Sequence, residues 1–186
     1  MINQTLQEYN AVIQACKDIF IKKTIDYGTA WRILRLPSIT DQIFIKAQRI
    51  RSIQEKGVQL VEDDVTTEFV GIINYCVIAL MQMQLPENAP LELPAEQVEE
   101  LYDQEISKTI QLLQNKNHDY GEAWRDMRIS SITDIILMKL YRTKQIEDNQ
   151  GKTLISEGVD ANYRDMINYA VFVLIKLNYA THEMDK

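Results

Sequence analysis

Two blocks of this chain carry the residue types that handle anions, metals and aromatic rings. The first reads Lys23-x-x-Asp26-Tyr27-Gly28-x-Ala30-Trp31-Arg32, then Ser38-Ile39-Thr40-Asp41, Lys46 and Arg49. The second reads Lys116-x-x-Asp119-Tyr120-Gly121-x-Ala123-Trp124-Arg125, then Ser131-Ile132-Thr133-Asp134, Lys139 and Arg142. The offset is 93 throughout, and residues 23–53 and 116–146 share 16 identities in 31 positions. Chance would give about one or two, so the chain contains an internal duplication.

The chemistry of these types is specific. An Asp at a helix end can hold a metal or a ligand hydroxyl. A Trp can stack on a base, and an Arg can take a phosphate through two parallel N–H bonds. Lys139 and Arg142, one three-residue step apart, share a helix face, as do Lys46 and Arg49. With the arginines of the preceding loops they gather four cations per block: Arg32, Arg35, Lys46 and Arg49, then Arg125, Arg128, Lys139 and Arg142. In a chain of net charge −7 this clustering points to an anionic ligand. A structural use of the same residues stands beside it. Gly can cap the helix, Tyr and Trp can fill a core, Asp and Arg can pair, and lysine stems can lie along a solvated face.

A third constellation is Asp165-x-x-Asn168-Tyr169. Asp and Asn one turn apart on a largely apolar helix need polar partners. A Mg²⁺ site would use such oxygens together with waters and substrate phosphates. With a one-residue shift, Asn168-Tyr169 matches Asn74-Tyr75 and Asp165 is replaced by Gly71; at the unshifted offset of 93, Glu122 is replaced by Thr29. The acidic groups therefore single out the second half, with the first as a degenerate scaffold. On this reading Asp119, Glu122 and Asp165 supply metal, water or catalytic contacts. Trp124 stacks a base, Arg125, Lys139 and Arg142 hold phosphates, Asn168 reads a polar edge, and Tyr120 completes the ligand contacts. The two histidines, His118 and His182, sit in no zinc, Ser-His-Asp or Cys-His arrangement, and there is no phosphate-cradling Gly loop.

Helices must position these residues. Leu6, Tyr9, Ile13, Cys16 and Phe20 recur at three- and four-residue steps, the period of an amphipathic helix ending near Gly28. A loop carries Ala30 to Pro37. A second helix starts at Ser38 or Thr40 and ends near Gly57; Ser38 with Asp41, like Ser131 with Asp134, has the spacing of a capping box. A third, after Asp63-Asp64, is apolar nearly all round and belongs at the centre of a core. The second half repeats the pattern: about 95–115, 131–148, and a last helix from Asp160 to about Thr181. Pro86, Pro90 and Pro94 mark residues 86–94 as a linker between a first unit, 1–85, and a second, 95–186. The predicted fold is all-α: two three-helix units packed as one pseudo-twofold helical bundle.

Composition narrows the function further. Hydrophobic content of 46 % with 25 % charged residues is that of a soluble globular protein rather than a disordered one. The negative net charge argues against a nucleic-acid backbone as partner. The longest apolar run, Ile72 to Leu80, is too short for a bilayer of about 20 residues. The N-terminus lacks a signal-peptide pattern. Cys16 and Cys76 fall in no metal or redox spacing and read as buried side chains in a reducing, cytoplasmic compartment.

The repeated blocks resemble a small bacterial and phage helical family, long catalogued as a domain of unknown function and named nucleotide modification associated domain, type one. The likeness rests on Lys-x-x-Asp-Tyr-Gly-x-Ala-Trp-Arg, Ile-Thr-Asp-x-x-x-x-Lys-x-x-Arg and Asn-Tyr in both halves, and it implies a role in nucleotide metabolism or modification. Asp165-x-x-Asn168 is also distantly similar to one metal-binding motif of the all-α nucleoside-triphosphate pyrophosphohydrolases. Together these imply binding of a nucleotide or other phosphorylated small molecule, with Mg²⁺-dependent pyrophosphohydrolysis as the accompanying activity. The rival reading is a non-catalytic interaction or scaffold module in which the motif is structural. A homo-oligomer stays open on either reading.

Overall fold

The computed structural model describes residues 2–57 and 64–184; the side chains of residues 2, 3, 117–120 and 182–184 lie outside the description. Among the described residues there are seven α-helices and no strand. The first repeat holds α1 (Ile2–Tyr27), α2 (Leu36–Lys56) and α3 (Val65–Gln84). The second holds α4 (Ala95–Tyr120), α5 (Ile129–Asp148) and α6 (Val159–Lys176), and a short α7 (Tyr179–Met184) follows. Each tryptophan sits on a 3₁₀ turn, Ala30–Ile33 or Ala123–Asp126, between the first and second helix of its repeat.

Both long first helices end on a left-handed glycine, Gly28 at φ +68° and Gly121 at φ +65°. The Gly28 amide donates to Thr24 O at 2.8 Å, closing the last turn of α1. Helix α4 accordingly runs to Tyr120, past the predicted end near Asn115. Helix α2 starts earlier than Ser38, at Leu36, with Pro37 in the first turn where its missing amide has no role. The predicted capping boxes do not form. The caps are Arg35 and Arg128, with no side-chain bond. The two aspartates are drawn across to the other repeat, Asp41 to Lys144 at 2.8 Å and Asp134 to Arg51 at 3.5 Å.

Those bridges belong to an antiparallel pair. Thr40, near the start of α2, donates to Glu147 near the end of α5 at 2.7 Å. Gln54, near the end of α2, donates to Thr133 near the start of α5 at 3.0 Å. Helices α2, α3, α6 and α5 pack in a ring of neighbours and form the core. Helix α3 buries Phe69, Ile72, Ile73, Cys76, Val77 and Met81, and α6 buries Met166, Ile167, Ala170, Val171, Val173 and Leu174. Each fully buried aliphatic side chain contributes about 1.5–3 kcal/mol. Helix α3 is long and apolar enough by composition to cross a membrane, but 61 % of that stretch is buried inside the bundle. Burial also pushes the Cys16 and Cys76 thiols up, so both stay protonated core side chains.

The outer helices tie the repeats together. Tyr9 of α1 reaches Asn168 of α6, and Tyr102 of α4 reaches Asn74 of α3. The proline-rich segment is more than a spacer. Thr29 Oγ1 donates to Leu91 O at 2.6 Å, the Leu93 amide donates back to Thr29 Oγ1 at 3.0 Å, and Leu93 is buried. A Cβ on Gly28 would collide with the Glu92 carboxylate, so the segment sits where only glycine lets it approach. Helix α6 stops at Lys176, short of the predicted Thr181, because Asn178 adopts φ 54° and breaks it from α7.

Candidate functional site

The second repeat, where the acidic residues lie, is internally engaged. Lys116 Nζ is 2.7 Å from Asp165 Oδ1, and Lys139 Nζ is 2.6 Å from Asp165 Oδ2. Burial alone would lower the Lys116 pKa, but its hydrogen bond to Asp165 and the charge of that carboxylate raise it above the ordinary value. Both oxygens of Asp165 thus face an ammonium group. A divalent cation placed there would meet two like charges at close range, so this donor set does not suit Mg²⁺. Glu122 Oε2 lies 3.3 Å from Arg125 Nε, and its Oε1 is buried without a partner. Among the described residues no three His, Cys, Asp or Glu side chains gather as a metal group. The side chains of Asp119 and Tyr120, expected to join the site, lie outside the described residues.

The predicted ligand contacts are corrected in the same way. Trp124 is 5 % exposed, its ring stacked on Phe172 with centroids 4.3 Å apart and an interplanar angle of 7°. The Arg125 guanidinium lies 4.4 Å from the same ring centroid. Arg125 also holds Glu8 at 2.5 Å and Thr5 at 2.9 Å, anchoring the start of α1. Neither side chain is presented to a base or phosphate. Asn168 accepts the Tyr9 hydroxyl, so the resemblance of Asp165-x-x-Asn168 to half a metal motif masks two structural roles. Of the predicted ligand contacts with described side chains, Arg142 stays exposed, on an open groove between α5 and residues 149–157 that Lys139 also borders.

The first repeat keeps the lysines and omits the acid. Lys23 and Lys46 correspond to Lys116 and Lys139, and Gly71 stands where Asp165 does. A Cβ on Gly71 would lie 2.7 Å from Lys46 Cε, so the lysine stem lies directly over the glycine. Lys46 is 3.6 Å from Glu68, a carboxylate that Arg49 binds more closely at 2.7 Å. Lys23 is exposed and has no ion pair or hydrogen bond among the described residues. Beside these lysines is a cavity of about 450 Å³, bordered by Tyr27, Trp31, Asn74, Tyr75 and Ile78. Its lining among the described residues contains no carboxylate. Trp31 is 8 % exposed, and its indole N–H is buried without a partner. Partial burial, then the nearby Tyr75 and Asp26, push the Tyr27 phenol up, so it remains a neutral hydroxyl. Lysine charge and aromatic surface therefore meet in one concave place, the composition of a small-molecule pocket.

The four-cation clusters expected from spacing do not assemble. Arg32 turns to Gln82 and to the carbonyl oxygens of Ala89 and Pro90, at 2.9 and 3.2 Å, pinning the proline-rich segment. Arg35 and Arg128 point to solvent. Gly71 and Lys23 are visible in the repeat alignment but fall outside the predicted site. The signal was available: an acid lost opposite lysines that were kept.

Comparison with known families adds one finding. The family model described as nucleotide modification associated domain 1 matches twice, over residues 23–83 and 116–177. The two segments coincide with the two structural repeats without the linker or the first part of α1 and α4. No curated protein and no solved structure matches the chain. Since the two matches together cover more than half of the sequence, the chain belongs to the nucleotide modification associated domain 1 family, as a tandem pair.

Proposed function

We propose that the protein binds a phosphorylated small molecule of the nucleotide class in the cavity of the first repeat. The observation that carries the reading is the replacement of Asp165 by Gly71. It leaves Lys23 and Lys46 beside a cavity of about 450 Å³ without the carboxylate that neutralises their counterparts. Two ammonium groups attract a phosphate, and the surrounding low-dielectric wall strengthens that attraction. Trp31, Tyr27 and Tyr75 offer aromatic surface for a planar ring. The family description, which names nucleotides, supports the same class.

The reading is one of binding. The described lining supplies cations, hydroxyls and aromatic faces, but no carboxylate to activate water. Mg²⁺ would arrive on the phosphates of the ligand, its usual mode of entry, rather than on a cage built by the protein. The second repeat plays the scaffold part: its Trp, Arg and Asp side chains are spent on Phe172, Glu8 and the two lysines.

A thermal-shift screen of nucleoside mono-, di- and triphosphates, with and without Mg²⁺, tests this. The wild type is expected to gain thermal stability with at least one of them, and Lys46→Ala and Lys23→Ala to lose that gain. Absence of a shift across the panel, or equal shifts in both lysine variants, overturns the reading.

A further inference from the structure

The two repeats differ at a second place that faces the same cavity. Phe172 in the second repeat corresponds to Ile78 in the first. Phe172 lies flat on Trp124, at 4.3 Å and 7°. Ile78 is smaller, borders the cavity, and leaves Trp31 without a ring contact among the described residues. So the second repeat has both an aromatic plane on its tryptophan and an anion on its lysine pair, each supplied by its own chain. The first repeat has no ring on its tryptophan among the described residues, its nearest lysine counter-charge is the more distant Glu68, 3.6 Å from Lys46 and shared with Arg49, and a cavity lies there.

We infer that Asp165 and Phe172 are built-in stand-ins for a ligand, and that they describe what the first repeat binds. The inference rests on the proposed anion site and extends it to a ligand class. The anion would lie at Lys23 and Lys46, over Gly71, as the Asp165 carboxylate lies between Lys116 and Lys139. An aromatic ring would lie on Trp31, as Phe172 lies on Trp124. Asp165 and Phe172 are seven residues apart on one helix, a rise of about 10 Å. The occupant is therefore a molecule with a planar ring at one end and a phosphate at the other: a nucleoside monophosphate. A free phosphate or a lone sugar phosphate satisfies only half of the template. The second repeat is the same site in a plugged form, and it binds nothing while Asp165 and Phe172 are in place.

Isothermal titration with the common ribo- and deoxyribonucleoside monophosphates tests this, with adenosine, ribose 5-phosphate and inorganic phosphate as half-ligands. The wild type is expected to bind one nucleoside monophosphate per chain, and each half-ligand at least tenfold more weakly. The paired change Gly71→Asp with Ile78→Phe copies the plug into the first repeat and abolishes binding. The opposite change, Asp165→Gly with Phe172→Ile, unplugs the second repeat and raises the stoichiometry to two. If ribose 5-phosphate or inorganic phosphate binds as tightly as the nucleotides, the template idea fails while the anion site stands. Nucleotide binding unchanged in the plugged variant also overturns it, whether or not the unplugged variant folds. If neither the monophosphates nor the half-ligands bind the wild type, the anion site falls and the inference falls with it.

Discussion

The Tyr9 hydroxyl donates to Asn168 Oδ1 at 2.8 Å, a bond between the first helix of one repeat and the third helix of the other. Its counterpart, from Tyr102 to Asn74 Oδ1 at 2.9 Å, runs the opposite way. All four side chains are buried. Burial pushes both phenols up, so they remain donors across the accessible pH range. The pair is a reciprocal clasp: neither repeat completes its polar core without the other.

Tyr9→Phe and Tyr102→Phe are therefore expected to destabilise the protein to a similar degree. Each strands a buried amide oxygen at a cost of about 1–3 kcal/mol. Chemical denaturation of the two variants checks this. A loss confined to one of them would show that the clasp is not reciprocal in energy.

Asp165→Asn should be more damaging than an ordinary surface-charge removal. It leaves the side chain of Lys139, 13 % exposed, and that of Lys116 without their common anion. Breaking a buried pair costs about 3–5 kcal/mol, and the greater exposure of Lys116 places the expected loss toward the lower end. The measurement is the urea midpoint, and Lys139→Met in the Asp165→Asn background should recover part of it.

Gly71→Asp is expected to tolerate folding and to remove binding. The new carboxylate meets the far end of Lys46, a flexible partner that can swing into an ion pair like that of Lys139 with Asp165. Helix propensity changes little or improves. The Tm should equal or exceed that of the wild type, while nucleotide-dependent stabilisation drops at least tenfold in apparent affinity. A folded variant that still binds as the wild type does would remove Gly71 from the site.

Trp124→Ala should cost about 3–5 kcal/mol, since it empties a stacked, buried position. Trp31→Ala should cost less, because Trp31 already borders open space and its removal enlarges an existing cavity. Comparing the two denaturation midpoints tests the claim that the same motif residue is structural in one repeat and surface-lining in the other.

Glu147 predicts a pH dependence. Burial raises its pKa above the usual carboxyl value, outweighing the hydrogen bonds from Thr40 and Tyr163 that lower it. The folded state thus holds this proton more tightly than the unfolded chain does. The stability it contributes is fully present below the unfolded value near 4.5 and is lost as pH rises through the higher folded value. Glu147→Gln removes the titration and keeps an amide oxygen that can accept from the Thr40 and Tyr163 hydroxyls. At neutral pH the variant should be more stable than the wild type by under about 1 kcal/mol, given the half-exposed site. That corresponds to about 2–4 °C in Tm at most, and the gap should close on acidification.

The all-α class, the tandem pair, the glycine stop at Gly28 and the central α3 were all determined by the sequence. They follow from periodicity, from the conformational freedom of glycine and, for α3, from a composition apolar nearly all round, which are local properties. That the first repeat holds a cavity beside Trp31, Lys23 and Lys46 was decided only by the tertiary structure. Lys46 and Lys139 hold the same position in the repeated motif, yet one lies over Gly71 and the other is neutralised by Asp165, a residue that only the packing of the next helix brings near. Asp41, Asp134, Arg32 and Arg125 were spent on partners in another repeat or in the linker, so spacing alone could not foresee their use. The physical reason is that a charged side chain takes whichever opposite charge or carbonyl the packed helices bring near, and packing is set by the whole chain.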